Sequence, residues 1–199
     1  MSNDPGYTDP FAWYWFAVDE DGTVYIYREY TREYGDPKIV YKDQATKVLQ
    51  LSTYHDAENE REKTLFCTTG HDAWNTHPLA EEGKTIINYY NDGGMYGHIQ
   101  CIKDRKLRKA TWHEYLKPFP GPDGKLTAKV KIFSTCKKLI ETLPQQVEDE
   151  DDPEKVAETN YDHWYDGAGY GLIAWHVRQS KPPREERSEI QKDKDRLAK

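Results

Sequence analysis

Two adjoining runs, Phe11–Val18 and Thr23–Tyr30, are dominated by aromatic and β-branched residues and separated by Asp19-Glu20-Asp21-Gly22. Acidic residues and a glycine between two such runs favour a tight reversal, so the segment reads as a β-hairpin. Side chains alternate across a strand, which sends Val24 and Ile26 to one face and Tyr25 and Tyr27 to the other. Both faces are apolar. A hairpin of this kind has to be covered on both sides.

Helices and strands alternate after the hairpin. Gly35-Asp36-Pro37 breaks the chain. Asp43 is placed to cap a helix whose stripe runs Ala45, Val48, Leu49 and Ser52 and on to about Glu62. Lys63–Thr68 reads as a short strand ending just before Asp72. Pro78–Asn91 reads as a helix stopped by Gly93-Gly94, His98–Ile102 as a strand, and Lys103–Tyr115 as a basic helix. A turn at Gly121-Pro122-Asp123-Gly124 leads into a strand over Leu126–Phe133, and a short helix, Cys136–Leu143, ends at Pro144. The pattern implies an α/β fold with a sheet flanked by helices.

The last helix has the clearest geometry. Tyr170, Ile173, Ala174 and Val177 recur at helical spacing, so one face is buried. Continuing that stripe toward the N-terminus reaches Asp166 and then His163. A carboxylate facing the sheet there requires a partner, because an unpaired buried charge is costly. Gly167, Gly169 and Gly171 each weaken a helix by about 1 kcal/mol relative to Ala. They imply either close packing or a later helix start.

The chain has 199 residues, enough for one domain with a sizeable core. A mean hydropathy of -1.00 makes it polar, yet six Trp, fifteen Tyr and five Phe supply core material. No run of about 18 apolar residues suggests a membrane span, and the first residues do not resemble a signal peptide. Cys67, Cys101 and Cys136 are widely spaced and odd in number, which suits buried thiols in a reducing cytoplasm. The net charge of -7 argues mildly against nucleic acid as a partner, but the charge is unevenly spread. Lys103–Lys138 holds eleven Lys and Arg against three acids, whereas six of the seven residues Glu148–Glu154 are acidic. One basic face for phosphates and one mobile acidic loop would account for this, as would ordinary solvated helix surface. Residues 180–199 have no apolar stripe and read as a charged C-terminal tail, leaving 1–179 as the folded domain.

Three aspartates stand in distinctive settings: Asp4 in Asn3-Asp4-Pro5-Gly6-Tyr7-Thr8-Asp9-Pro10, Asp72 in Gly70-His71-Asp72-Ala73-Trp74, and Asp166 in Asp162-His163-Trp164-Tyr165-Asp166. Carboxylates drawn from distant segments are what a two-metal phosphodiester-cleaving site needs, because such sites hold two divalent cations on hard oxygen ligands. Each also has an ordinary reading. Asp4 fits turn chemistry, Asp72 a turn or helix cap, and Asp166 a solvated helix position.

In order and context these segments resemble the nuclease domain of tailed-phage terminase large subunits. The similarity runs through Asp4-Pro5-Gly6-Tyr7-Thr8-Asp9-Pro10, Arg28-Glu29-Tyr30, Asp72-Ala73-Trp74, Asp104-Arg105 and Asp162-His163-Trp164-Tyr165-Asp166-Gly167-Ala168-Gly169-Tyr170, covering roughly residues 3–177. The chain departs from the family at Pro5, where an aromatic is usual, and at Gly167 and Gly169, where the motif has Ala and Arg. Only Met1-Ser2-Asn3 precede Asp4, so the family's first strand is expected to be nearly absent, along with the ATPase domain that normally comes before it.

The resemblance implies an RNase H-like mixed central sheet flanked by helices. It also implies a metal-dependent endonuclease cutting concatemeric double-stranded viral DNA during packaging in the host bacterial cytoplasm. Asp4, Asp72 and Asp166 would hold two Mg2+ or Mn2+ ions, with His163 assisting and Asp9 and Asp162 as second-choice ligands. Lys103, Arg105, Lys106, Arg108 and Lys109 would contact the DNA backbone. The implied partners are double-stranded DNA, the terminase ATPase domain, the small terminase subunit and the portal protein. Two rival expectations stand beside this one: a non-catalytic fragment or DNA- and portal-contacting module of a split terminase, and another RNase H-like nuclease such as a resolvase.

Two other sites are disfavoured. Gly83-Lys84-Thr85 resembles the end of a phosphate-binding loop, but Pro78 occupies the position of the required first glycine. Cys67, His71, His77, His98 and Cys101 lack the short ligand spacing of a zinc site.

Overall fold

The computed structural model describes residues 1–53, 60–76, 83–159 and 161–180. In chain order the elements are β1 (Ser2–Asp4), β2 (Phe11–Val18), β3 (Val24–Arg32), α1 (Tyr41–Leu51), β4 (Cys67–Thr69), a 3-10 turn (His71–Trp74), α2 (Ile86–Asp92), β5 (His98–Gln100) and α3 (Arg105–Leu116). They continue with β6 (Phe119–Pro120), β7 (Leu126–Thr127), β8 (Val130–Ile132), α4 (Lys137–Thr142) and α5 (Asp162–Ser180).

Six strands form one sheet in the order β5-β4-β1-β2-β3-β8. Strand β2 is antiparallel to both neighbours, whereas β1–β4, β4–β5 and β3–β8 pair in parallel. The hairpin forms as its sequence implies. Asp19 accepts from the Thr23 amide at 2.8 Å and Gly22 takes a positive φ of 81°. A bulge lies between Trp15 and Phe16.

Strand β2 is buried on both faces, and the two-sided hairpin accordingly separates two cores. Ala12, Tyr14, Val24 and Ile26 pack with Trp112, Leu139, Trp164 and Leu172 under α3, α4 and α5. Phe11, Trp13 and Trp15 pack with Ala45, Val48, Ile86 and Tyr90 under α1 and α2. Burying a large aromatic side chain contributes on the order of 1.5–3 kcal/mol, so the five consecutive buried residues of β2 anchor both layers.

The expectation of a nearly absent first strand is corrected. Three residues suffice to form β1, and it sits at the centre of the sheet between β4 and β2. The Met1 amino group donates to the Phe66 carbonyl at 2.9 Å, while Thr68 and Gly70 amides donate to Met1 and Asn3 carbonyls. Ser2 and Asn3 are fully buried. Pairing on both sides holds the strand and carries Asp4 to its C-terminal end.

Other boundaries shift in ways that follow from capping. Helix α1 begins at Tyr41, with Asp43 in its first turn rather than at its cap. Helix α2 begins at Ile86 because Thr85 and Asn88 form a capping box. The expected run of α1 to about Glu62 is corrected: the helix ends at Leu51 with Ser52 at its C-cap, and Thr53 instead pairs with Arg61 in an antiparallel bridge. Residues 54–59 and the expected start at Pro78 lie outside the described residues, as does His77. The 126–133 segment is interrupted, forming β7 and β8 rather than one strand. Helix α4 stops before Leu143, and Pro144 belongs to a following 3-10 turn. The tail beyond Ser180 is outside the described residues.

Helix α5 begins at Asp162 and is buried from Trp164 to Ile173 at every position but Asp166, not along one face. Its glycines make this possible. A Cβ at Gly167 would stand 3.2 Å from the Asp4 amide nitrogen, and one at Gly171 would stand 2.6 Å from the Phe16 ring. The Ser2 hydroxyl donates to the Gly167 carbonyl at 2.6 Å. Close packing, rather than a later start, accounts for the glycines.

Candidate active site

Asp4 leaves the sheet at the C-terminal end of β1 and enters a tight loop. A Cβ on Gly6 would fall 2.1 Å from the Pro10 carbonyl oxygen, so this loop requires glycine for its close approach. Two buried polar side chains pin it. Gln44 donates to the Gly6 carbonyl at 2.9 Å, and Arg32 donates to the Thr8 and Asp9 carbonyls at 2.8 and 2.6 Å. Such bonds offset the cost of burying the polar groups. Neither residue stands out in the sequence, because each acts on a loop distant along the chain.

Helix α5 brings His163 and Asp166 to the same edge. His163 Nδ1 lies 3.0 Å from Asp4 Oδ2. Burial opposes protonation of this imidazole, but the carboxylates of Asp4, Asp162 and Asp9 outweigh it and hold its pKa above the ordinary value. Burial pushes Asp166 up to about 7, Arg108 opposes the shift, and the charges of Asp4 and Asp162 add to it. Asp162 is also raised, chiefly by burial. Asp166 thus senses the charge of Asp4, and the two side chains are only 24% and 17% exposed.

Arg108 is the basic member of this group. Its Nη1 lies 2.6 Å from Asp166 Oδ2, and its guanidinium stacks 4.9 Å from the centre of the Tyr170 ring. The expectation that Arg108 belongs to a DNA-contacting surface is corrected, because the side chain is buried on Asp166.

Asp72 lies in the 3-10 turn immediately beyond β4. Its side chain is 71% exposed and bonds to Asn75 and His71, each at 3.1 Å. These are the contacts of a turn aspartate. Gly70 links this segment to the buried acids, since a Cβ there would stand 3.1 Å from Asp4 Oδ1. Asp4, His163, Asp166 and Asp162 are therefore brought together, and Asp72 borders them without touching them. Among the described residues no three His, Cys, Asp or Glu side chains converge as a metal-ligand group. The donor chemistry at Asp4 and Asp166 nevertheless suits a hard divalent cation: both are carboxylates, and their mutual repulsion under burial is what a cation relieves.

The basic face of α3 is occupied. Arg105 pairs with Glu158, Lys106 with Asp152 at 3.2 Å and with Glu154, and Lys109 with Glu148 at 2.6 Å. Of the five expected DNA contacts, Lys103 alone lacks an acidic partner among the described residues. The acidic segment, expected to be a mobile loop, is folded onto α3 and closed by a bridge between Glu148 and Val156. Opposite charge along the two segments explains the docking, and no pattern within either one reveals it. Asp104 caps α3, accepting from the Leu107 amide at 2.9 Å.

The sheet order, the lone antiparallel β2 and acids at the C-terminal end of the central strand define an RNase H-like α/β fold. Solved structures agree. Two crystal forms of the large terminase from a thermophilic bacteriophage superpose with TM-scores of 0.59 and 0.61 at 17% identity, over 87% of this chain and 38% of theirs. The same terminase in complex with ATP-γ-S gives 0.59. The chain spans about two fifths of the length of those proteins. No protein-family model matches the sequence, and neither does any curated protein. No helix among the described residues is long and apolar enough to cross a membrane.

Proposed function

We propose that this chain is a metal-dependent endonuclease acting on double-stranded DNA, in the genome-packaging setting that its likeness to a phage large terminase suggests. The observation that supports the reading is the electrostatic proximity of Asp166 to Asp4, at the C-terminal end of the central strand, under partial burial. Asp4 and Asp166 would hold Mg2+ or Mn2+ ions, with Asp72 as a further oxygen donor from the neighbouring strand end. Such ions activate a water for in-line attack and stabilise the departing 3′ oxygen. His163 holds the Asp4 carboxylate, and Arg108 holds that of Asp166. Lys103, together with Arg105, Lys106 and Lys109 once their acidic partners yield, would contact DNA phosphates without reading sequence. The ATPase domain, small terminase subunit and portal are the partners this reading implies.

A second reading, a non-catalytic module making DNA or portal contacts, draws on the ligand set, which is not gathered into one group among the described residues. Mn2+-dependent cleavage of supercoiled plasmid separates the two. Under the nuclease reading the parent cuts and Asp4→Asn does not. If Asp72→Asn cuts as well as the parent, Asp72 is not a ligand. A parent that neither cuts nor gains thermal stability from Mn2+ favours the non-catalytic module.

A further inference from the structure

Gly169 and Arg108 come from different helices and occupy one space. A Cβ at position 169 would stand 2.7 Å from Arg108 Cδ, 2.9 Å from its Cγ and 3.0 Å from Trp112 Nε1. The alkyl stem of Arg108 therefore fills the volume that a side chain on α5 would start from. Its guanidinium then reaches Asp166, which lies three residues before Gly169 on the same helix and so on the same face. Tyr170 stacks on the guanidinium, and its hydroxyl lies 3.5 Å from Asp166 Oδ2. Position 169 is also where the resembled motif carries arginine.

We infer that Arg108 is a positioning residue for Asp166, delivered from α3 into the space that Gly169 leaves open on α5. The planar guanidinium is a permanently charged, rigid fork, so it fixes where the nearer Asp166 oxygen sits by charge. Burial between α3 and α5 immobilises that fork. Arg108 Nη1 stands 2.6 Å from Asp166 Oδ2 as an ion pair, while Nη1 and Nε have no hydrogen-bond partner among the described residues, so Arg108 holds one Asp166 oxygen in place by its charge. Arg108 faces Asp166 rather than solvent, so it acts on catalysis through that acid and makes no contact with DNA. Arginine at position 169 itself could reach the same acid, because residues three apart on a helix are neighbours.

The catalytic half of this inference rests on the nuclease reading; the packing half does not. Four variants test both: Arg108→Lys, Arg108→Ala, Gly169→Ala and the double variant Arg108→Ala/Gly169→Arg. In Mn2+-dependent plasmid cleavage, Arg108→Ala lowers kcat by about a hundredfold, the scale of a misplaced catalytic group, and leaves KM for DNA unchanged. Arg108→Lys keeps the charge and recovers part of kcat, and the double variant recovers more. An unchanged kcat in Arg108→Ala, or a raised KM with kcat intact, overturns the positioning role. Thermal melting provides the second readout. Gly169→Ala lowers Tm in the parent and not in the Arg108→Ala background. Equal effects in both backgrounds overturn the shared space. A parent that does not cut removes the nuclease reading and with it the catalytic half, and the melting cycle then decides the packing half alone.

Discussion

Asp4 and His163, 159 positions apart, meet at 3.0 Å between Oδ2 and Nδ1. The contact joins the central strand to the first turn of the last helix, and the ring orientation is fixed further by Tyr34, whose hydroxyl lies 3.3 Å from His163 Nε2. Under the nuclease proposal Asp4 is a metal ligand, and an outer residue that orients such a carboxylate typically contributes about tenfold to a hundredfold in metal affinity or activity. On that proposal His163→Ala is expected to lower Mn2+-dependent cleavage by that factor while the chain stays folded. Cleavage rates beside a melting curve for the variant check this, and a fully active variant would exclude the role.

The acidic segment gives a prediction about DNA affinity. Its ion pairs with α3 are solvent-exposed on at least one side, and such pairs add little to stability. The segment is thus displaceable, and under the proposed DNA contacts it would compete with phosphates for the same cations. Changing Glu148, Asp152, Glu154 and Glu158 to their amides is expected to tighten binding to linear duplex by at least about tenfold at low salt and to steepen its salt dependence. Fluorescence anisotropy across a salt series measures both. Equal affinity and slope in parent and variant would mean that α3 does not bind DNA.

How much of the fold and site is legible in the sequence depends on the range of the interaction. The hairpin is readable because two aromatic and β-branched runs around Asp19-Glu20-Asp21-Gly22 are a local pattern, and the α5 position of Asp166 because helical spacing is local too. Strand β1 is hidden: its three residues are too few to show a pattern, and its order comes from pairing with β2 and β4. The paired state of α3 escapes notice because its partners lie about forty to fifty residues further on. Arg108 groups with its surface neighbours in the sequence, since only packing against Gly169 turns it inward. Cross-chain contacts of that kind leave no periodicity to detect.

Gly171 supplies a stability test of the close helix packing. On an exposed helix, Gly→Ala stabilises by about 1 kcal/mol. Here the added Cβ would stand 2.6 Å from Phe16 and 2.9 Å from Ser2 Oγ, and overpacking costs about 1–3 kcal/mol. Gly171→Ala is expected to be destabilising on balance in urea unfolding. A stabilised variant would show that α5 does not lie so close to the sheet.

His98 gives a pH dependence away from the acids. Its Nδ1 lies 2.7 Å from the Thr69 hydroxyl and its ring stacks on Tyr90. Burial pushes its pKa down to about 4, whereas an unfolded histidine titrates near 6.5. The unfolded chain thus takes up the proton first, and stability from neutral His98 is present above about pH 6.5 and lost as pH falls toward 4. Between pH 7 and pH 5 the parent is expected to lose about 2 kcal/mol more than His98→Gln. Denaturant melts at the two pH values measure the difference, and parallel losses would contradict it.

Whether the Asp4 and Asp166 cluster is a divalent-cation nuclease site is decided by incubating the parent and Asp166→Ala with supercoiled plasmid in Mn2+ at low salt. Nicked and linear products are expected from the parent alone, and chelating the metal is expected to abolish them. Cutting by both proteins would place the activity elsewhere, and intact plasmid with both would contradict the nuclease assignment.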